Sequence, residues 1–168
     1  MTLTAEEPQV ALPDPKTIEK VAIIISHGSL EGVYPGLIMA NGARMEGIDA
    51  DVFFTFFGLD AIRKDHINKI KVATVGNPAM HMPSLVGVLP GMSAMATHMM
   101  KKEMEKLDIP SVREMLQILK DSGAKLYGCG LAMAMFKLKK EDLIPQVDDV
   151  LTAMDFFDKA EGAQIIFT

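Results

Sequence analysis

The chain has 168 residues and a formal net charge of -5, from 17 Lys and Arg against 22 Asp and Glu. This length predicts one domain, and an apolar fraction of 49% with 23% charged residues excludes global disorder. The acidic balance argues against a broad nucleic-acid surface, which needs an excess of basic side chains. The single cysteine, Cys129, excludes an internal disulfide framework and any metal site built from several cysteines.

The N-terminal region is not predicted to be an export signal. Glu6 and Glu7 precede the first basic residue, and no apolar run has the roughly 7–15 residues of a signal peptide. Prolines disfavour a helix here, so residues 1–19 are predicted to be a flexible lead before a domain at residues 20–168. The protein is therefore predicted to be cytoplasmic. Prolines and histidines within Val75–Met100 argue against a spanning helix and leave contact with a membrane surface open.

Two apolar runs near the start of the domain predict parallel β-strands buried on both faces. Val21–Ser26 is mostly β-branched, and Asp51–Phe57 has the same apolar character and ends at Gly58. Between them, the apolar spacing after Pro35 predicts a helix that stops at Gly47. Strand, helix and strand in this order form a βαβ unit with a right-handed crossover.

A methionine-rich insertion follows at about residues 75–106, after a short polar helix or loop. Met95–Lys106 is predicted to be helical, whereas prolines and glycines interrupt Val75–Gly91. Because methionine side chains adapt to different shapes, we predict that this segment is a mobile cover over Cys129. Its apolar stretches, Leu85–Leu89 and Met92–Met100, are predicted to lie at a homo-oligomer interface near Cys129. This interpretation is favoured over a copper site formed by methionines and histidines, so no metal is predicted.

The second half of the chain predicts three more helices and two strands. Ser111 and Glu114 have the spacing of a capping box, at the start of an amphipathic helix that ends at Gly123. The elements that follow are a strand at Ala124–Tyr127, a helix starting at Leu131–Phe136, a turn at Asp142–Pro145, a last helix capped by Asp148 or Asp149 and running through Lys159, and a closing strand at Gln164–Phe167. The predicted fold is a single doubly wound α/β domain with a mostly parallel, flavodoxin-like sheet.

Two predicted loops lie at the carboxyl ends of strands, where open parallel sheets bind their ligands. The first is His27-Gly28-Ser29, and the second is Gly128-Cys129-Gly130. Cys129 directly precedes a predicted helix, whose N-terminal dipole favours the nucleophilic thiolate. The alternative is a buried, inert thiol.

The residues around Cys129 limit the reactions that this cysteine can carry out. No Cys-X-X-Cys pair is present for disulfide exchange, and His27, a candidate base, has no evident Asn or Asp to orient it. A lone cysteine can still hold a sulfur atom as a persulfide, which needs a thiolate and no general base. In that case the backbone N–H groups of Gly130 and Leu131 are the predicted donors to the anionic sulfur. Lys137, Lys139 and Lys140 are typical of a solvated helix end, and the alternative is that they attract an anionic sulfur donor or an acidic partner.

The loop after the first strand has two interpretations. His27, Gly28 and Ser29 either cradle an anion at the start of a helix, or Gly28 makes a tight turn, which is favoured. The spacing of Gly28, Gly32 and Gly36 does not match the dinucleotide-binding fingerprint.

Three segments of the sequence resemble a known family. They are VAIIISHGSLEG, GMSAMATHMMKKEMEKL and, above all, KLYGCGLAMAMFKLKKEDLIPQV. From about Lys20 to Thr168 the chain is similar to the DsrE/DsrF-like family, in particular its larger sulfur-carrier, DsrE-type sulfurtransferase branch. The resemblance implies a cytoplasmic, homo-oligomeric α/β protein that accepts sulfane sulfur on Cys129. It also implies TusA-like or rhodanese-like partners that receive this sulfur in sulfur oxidation or trafficking.

The leading hypothesis is therefore a sulfur carrier or sulfurtransferase that uses Cys129 and no cofactor. Several members of the family carry a second cysteine in or near the methionine-rich stretch, and this chain has none there. Whether one cysteine supports full catalytic turnover stays open. The alternatives are a flavodoxin-like module that binds a nucleotide or flavin, and a non-catalytic partner subunit.

Overall fold

The computed structural model describes residues 18–73 and 91–168, which form one α/β domain. All of its strand pairs are parallel, in the order β4-β3-β2-β1-β5. The strands are β1 (Lys20–Ile25), β2 (Asp49–Phe54), β3 (Lys125–Cys129), β4 (Asp149–Leu151) and β5 (Gln164–Phe167). The helices are α1 (Leu30–Met45), α2 (Met92–Lys106), α3 (Val112–Asp121), α4 (Gly130–Met135) and α5 (Ala153–Lys159). The predicted doubly wound, parallel α/β fold is confirmed.

The two faces of the sheet are covered differently. On one face α1 packs so closely that a Cβ at Gly36 would lie 2.7 Å from the side chain of Ile25. On the opposite face Phe156 of α5 stacks on Phe53 of β2, with ring centroids 4.5 Å apart. Because side chains alternate along a strand, Phe53 and its neighbour Phe54 point to opposite faces. We call these faces the α1 face and the α5 face.

Helix α3 lies beside α1, as its amphipathic sequence predicts. The predicted capping box is present, with Ser111 and Glu114 exchanging backbone and side-chain hydrogen bonds. Two side chains of α1 join the helices: the Tyr34 hydroxyl donates to the carbonyl of Pro110, and Arg44 donates to that of Ser122, each at 2.9 Å. The apolar side of α3 is buried in the common core.

The sequence pattern missed one strand, β4, and misplaced the cap of the last helix. Asp148 and Asp149 do not cap α5; Thr152 does, and its hydroxyl accepts from the backbone N–H of Asp155 at 3.2 Å. Asp149 opens β4, and Asp148 accepts a hydrogen bond from the N–H of Leu126. A strand of three residues is too short to show a period, so local pattern reading could not find it.

The end of β2 and the start of α1 also differ from the predicted positions. The second strand ends at Phe54 and not at Phe57, because Phe56 takes a positive φ of 43° and starts a 3-10 helix over Phe56–Ile62. Helix α1 begins at Leu30, before Pro35 and not after it. Pro35 is exposed, so the carbonyl that lacks its usual N–H partner can be hydrated.

Part of the methionine-rich insertion forms α2, which confirms the predicted helix and starts it at Met92. Its buried Thr97 accepts from the N–H of Val72 at 3.0 Å and donates to the carbonyl of Ser93. The predicted cover falls mostly on residues 74–90, which lie outside the described residues, as do Leu85–Leu89 and most of the predicted lead. The cover and the lead stay predictions. None of the helices within 18–73 and 91–168 is both long and apolar enough to traverse a bilayer.

Candidate functional site

Cys129 is the last residue of β3, at the carboxyl edge of the sheet. The sequence predicts it in a loop, but the structure pairs it in parallel register with Leu151 of β4. The register of β2 and β3 places Tyr127 beside Phe53, so Tyr127 and Cys129 both point to the α5 face. Only 7% of Cys129 is exposed. The strand therefore holds the thiol under the surface, where the sequence predicts an uncrowded one.

Small residues on either side of Cys129 let neighbouring chains approach it. A Cβ at Gly128 would lie 3.4 to 3.5 Å from side-chain atoms of Leu143, Ile62 and Met133. A Cβ at Gly130 would lie 3.5 Å from Val150. Apolar side chains therefore pack against the backbone of β3 on the face of the sheet opposite to the thiol.

Helix α4 starts directly after the thiol. Cys129 is its N-cap residue, with extended backbone angles and no hydrogen bond from its side chain to the helix. The first N–H groups of a helix have no partner within the helix, so those of Gly130 and Leu131 are donors near the sulfur. Their predicted role toward an anionic sulfur stays a prediction.

Large apolar side chains are exposed at the same edge of the sheet. Leu131 and Met135 of α4 are 71% and 56% exposed, and Phe57, which follows β2, is 62% exposed. The ring of Phe57 meets that of Phe136 with centroids 5.8 Å apart, which joins the β2 loop to the end of α4. We call Phe57, Leu131, Met135 and Phe136 the apolar collar. Of these four, only Leu131 is a predicted site residue, because the sequence places Phe57 within a predicted strand.

The structure does not bring His27 to Cys129. Strand β2 lies between β1 and β3, so at about 4.8 Å per strand the two backbones stand roughly 10 Å apart. The His27 ring is exposed and lies 3.1 Å from the hydroxyl of Ser26. The geometry therefore gives His27 no direct part in chemistry at the thiol.

Gly28 allows two loops to pack against each other. A Cβ there would lie 2.4 Å from the carbonyl oxygen of Phe57, so only glycine fits without a shift of the backbone. The N–H of Gly58 in the second loop donates to the carbonyl of Ser26 at 3.0 Å. The favoured structural role of Gly28 thus has a physical basis, although close approach and not an unusual φ requires the glycine.

The His27 loop lines a groove of its own, with a volume of 390 Å³. Ser29 caps α1 without a hydrogen bond from its side chain. The other polar side chains around the groove are His27, Asp60, His66, Lys69 and Lys71. Anion binding by this loop stays a prediction.

Two of the three lysines after Cys129 are balanced by nearby acids. Lys140 lies 3.0 Å from a carboxylate oxygen of Asp149, and Lys139 lies 4.0 Å from one of Glu141. These pairings reduce the positive field that the sequence suggests for this surface. Attraction of an anionic sulfur donor or an acidic partner by these lysines stays a prediction.

Asp148 ties the start of β3 to the segment before β4. Burial alone would raise the pKa of this carboxyl, but the N–H of Leu126 and the ammonium of Lys120 outweigh it, so the pKa lies below its ordinary value. A lowered pKa stabilises the fold above the unfolded value of about 3.9, and that stabilisation disappears as the pH falls through the folded value.

We therefore expect Asp148→Asn to lower the free energy of unfolding by about 1.5–3 kcal/mol at neutral pH. The loss should shrink as the pH falls through the lowered folded pKa of the wild-type carboxyl, because the wild-type side chain is then neutral like that of the variant. Urea unfolding at neutral pH and over a series of acidic pH values measures it, and exposed Asp158→Asn is the control. A loss that does not change over this series would show that the charge of Asp148 is not what stabilises β3.

The described residues show no metal centre. Across residues 18–73 and 91–168, no group of three or more His, Cys, Asp or Glu side chains is placed to hold a metal ion. The prediction that the protein uses no metal concerns the whole chain and stays a prediction.

Comparisons with known proteins match nearly the whole chain. A sequence profile of the DsrE/DsrF/DrsH-like family matches residues 17–167. The chain is 34% identical over 155 residues to the sulfur carrier protein DsrE2 of Allochromatium vinosum, which covers 88% of this chain and 96% of that protein. It is 23% identical over 154 residues to the uncharacterized protein YrkE of Bacillus subtilis, with 89% and 96% covered.

Two solved structures share the fold at 13% sequence identity. The ychN protein from E. coli superposes with a TM-score of 0.52 over 89% of this chain and 99% of its own. A protein of unknown function, MTH1491 from Methanobacterium thermoautotrophicum, gives 0.50 over 89% and 98%. At this identity the likeness concerns architecture alone.

Proposed function

Because the chain belongs to the DsrE/DsrF/DrsH-like family, we propose that it is a sulfur carrier that holds sulfane sulfur as a persulfide on Cys129. The observation that carries the proposal is the position of the only cysteine in the chain, at the carboxyl edge of β3. Its similarity to a sulfur carrier protein over most of both chains supports the same role.

The proposed chemistry is a pair of thiolate displacements. The Cys129 thiolate attacks the terminal sulfur of a sulfane donor such as polysulfide. A new S–S bond forms on Sγ, the old S–S bond breaks, and the donor leaves as a thiolate one sulfur shorter. An acceptor thiolate then attacks the outer sulfur of the persulfide, and Cys129 leaves as its thiolate. No cofactor and no net oxidant are needed, because each S–S bond that forms replaces one that breaks.

Burial of the thiol suits a carrier. A persulfide reacts with stray thiols, and a cysteine residue that is 7% exposed meets few of them. The added sulfur atom extends one bond beyond Sγ, and we propose that it is the atom that the acceptor reaches.

We propose that the apolar collar receives the acceptor protein. Four large apolar side chains exposed at the edge of the sheet where β3 ends are typical of a protein contact, since such patches are rarely left open on a monomer. TusA-like or rhodanese-like proteins are the proposed acceptors, and the cytoplasm, which keeps thiols reduced, is the proposed compartment. We also propose that the chain assembles as a homo-oligomer.

Intact-mass spectrometry after incubation with polysulfide, thiosulfate or tetrathionate tests the carrier role. We expect polysulfide, and thiosulfate with loss of sulfite, to add the mass of one or more sulfur atoms, reversed by a reductant and by cyanide. Tetrathionate should instead add one thiosulfate group, as a second thiosulfate leaves, and a reductant should reverse that adduct. An established sulfur carrier treated in parallel shows that the conditions load a thiol. If that carrier loads and this protein does not, the proposal fails. A purified protein that is yellow would instead favour the flavin-binding alternative.

A second experiment tests whether the apolar collar contacts the acceptor protein. In Met135→Asp, loading by polysulfide should continue while transfer to a TusA-like protein falls, because the charge disrupts the contact and not the thiol. Met154→Asp is the matched control, an exposed methionine on α5 outside the collar. Equal transfer by both variants and the wild type would remove the collar from the proposal.

A further inference from the structure

A polar cavity lies at the amino edge of the sheet, on the α5 face. Its volume is 270 Å³, and it is lined by residues from the starts of β1, β2 and β3 and from the end of α5. Lys125 in its lining is four residues before Cys129, which is about 13 Å along the strand. The cavity is therefore separate from the candidate site at the carboxyl edge. Its polar lining side chains are Lys20, Asp49, Asp51, Lys125, Tyr127 and Lys159.

The two carboxylates that line this cavity already have cationic partners. Asp51 is only 5% exposed, and the ammonium of Lys20 lies 2.8 Å from its carboxylate. The same ammonium donates to the carbonyl of Lys159 at 2.6 Å, which ties the end of α5 to the sheet. The carboxylate of Asp49 lies 2.6 Å from the guanidinium of Arg44. Neither acid is therefore left to balance the other lysines of the cavity.

The ammonium groups of Lys125 and Lys159 are the surplus positive charges. Lys125 lies 3.9 Å from the carboxylate of Asp148, which Lys120 already binds. No carboxylate of residues 18–73 and 91–168 lies within 4 Å of the Lys159 ammonium, which lies 5.5 Å from the centre of the Tyr127 ring. Because the whole chain has a net charge of -5, two surplus cations at one cavity favour an anionic ligand there.

Tyr127 adds a buried hydrogen-bond donor to the same cavity. The residue is 6% exposed, and its hydroxyl makes no hydrogen bond to any of the described residues. Burial, followed by the negative charge of Asp51, raises the pKa of Tyr127 to about 12, so the hydroxyl keeps its proton at neutral pH. Since buried hydroxyls normally have a partner, this donor beside two ammonium groups is placed to bind an anion.

We propose that this cavity binds a small oxyanion of the phosphate type. Tyr127 donates a hydrogen bond to one of its oxygens, and Lys125 and Lys159 balance its two negative charges. A volume of 270 Å³ accommodates free phosphate or a small phosphate ester, and it is below the roughly 300–1,000 Å³ of sites for larger ligands. The inference does not depend on the sulfur chemistry, because the cavity and Cys129 are at opposite edges of the sheet.

Titration of the full chain with inorganic phosphate, at constant ionic strength, tests the proposal by calorimetry. We expect saturable binding with a Kd below about 1 mM. Tyr127→Phe, Lys125→Met and Lys159→Met should each weaken binding about tenfold or more, because each removes a contact to a charged group. Tyr127→Phe keeps the ring, and Lys159→Met keeps the backbone carbonyl that Lys20 binds, so both should fold. Lys102→Met, at an exposed lysine of α2, is the matched control and should keep the wild-type affinity.

Nuclear magnetic resonance locates the bound ion. Phosphate should shift the backbone amide signals of Lys125, Tyr127 and Ala160, and leave those of His27–Ser29 unchanged. A phosphate monoester such as glycerol phosphate is titrated in parallel. Tighter binding of the ester would identify an ester as the ligand, and equal binding would identify the free ion.

Three results would overturn the inference. They are the absence of saturable binding up to about 10 mM phosphate, an equal affinity in Tyr127→Phe and the wild type, and amide shifts confined to His27–Ser29. None of these measurements reads sulfur loading. Their failure would therefore leave the carrier proposal standing, and a protein that loads no sulfur could still bind phosphate here.

Discussion

Cys129→Ser is expected to abolish sulfur loading completely. The chain has no other cysteine, so no second thiolate can displace sulfur from a donor. Intact mass after polysulfide treatment should show the full adduct in the wild type and none in the variant. Adducts that persist in Cys129→Ser would mean that sulfur is bound without a persulfide, and would contradict the proposed chemistry.

Moving the thiol tests whether its position matters. In Cys129→Ser with Ser122→Cys, the chain keeps one cysteine, now exposed at the end of α3. We expect this thiol to react faster with alkylating agents, since it is not buried. It should pass little sulfur to a TusA-like acceptor, because it lies before the start of β3, whereas the collar lies at the edge of the sheet where β3 ends. Equal transfer from both positions would show that any thiol of this protein suffices.

The largest loss of stability is expected for Phe156→Ala, about 3–5 kcal/mol in the free energy of unfolding. Phe156 is 1% exposed and stacks on Phe53 with the rings 16° from parallel. It comes from the short helix α5, and it buries the middle of the α5 face. Truncation leaves a cavity the size of a ring, which a helix of seven residues cannot close by moving.

The neighbouring residue of α5 provides the matched control for Phe156→Ala. Phe157 is 57% exposed, so Phe157→Ala should lower the free energy of unfolding by less than about 1 kcal/mol. Guanidinium unfolding measures both values. Because α5 follows β4, which pairs with Cys129, alkylation of the thiol should also be faster in Phe156→Ala. Similar losses for the two variants would show that the stacked rings contribute little.

Local sequence patterns were sufficient to predict most of the strands and helices. The apolar runs predict β1 and β2, and the Ser111 capping box predicts the start of α3. The predicted strand at Ala124–Tyr127 is also present, but β3 continues to Cys129, where the sequence predicts a loop. Each of these depends on residues a few positions apart. Strand β4 was not predicted for the same reason. Asp149–Leu151 is a strand because it pairs with β3, and its own three residues show no pattern.

The candidate site also has one part that the sequence predicts and another part that only the fold produces. Cys129 is recognisable from the sequence because it is the only cysteine and lies between two glycines ahead of a helix. The strand order is what separates it from His27, since β2 lies between their strands. The collar is also a product of the fold, because Phe57 and Phe136 meet only when β2 and β3 lie side by side.

By itself the sequence determined the class of fold, the family and the residue on which any sulfur chemistry depends. The tertiary structure decided how deeply the thiol lies, which side chains are exposed at the same edge of the sheet, and which charged side chains meet around the cavity beside Tyr127. Periodicity and spacing report contacts between residues close in the chain. Burial and neighbourhood depend on which distant strands pair, and no local pattern encodes that order.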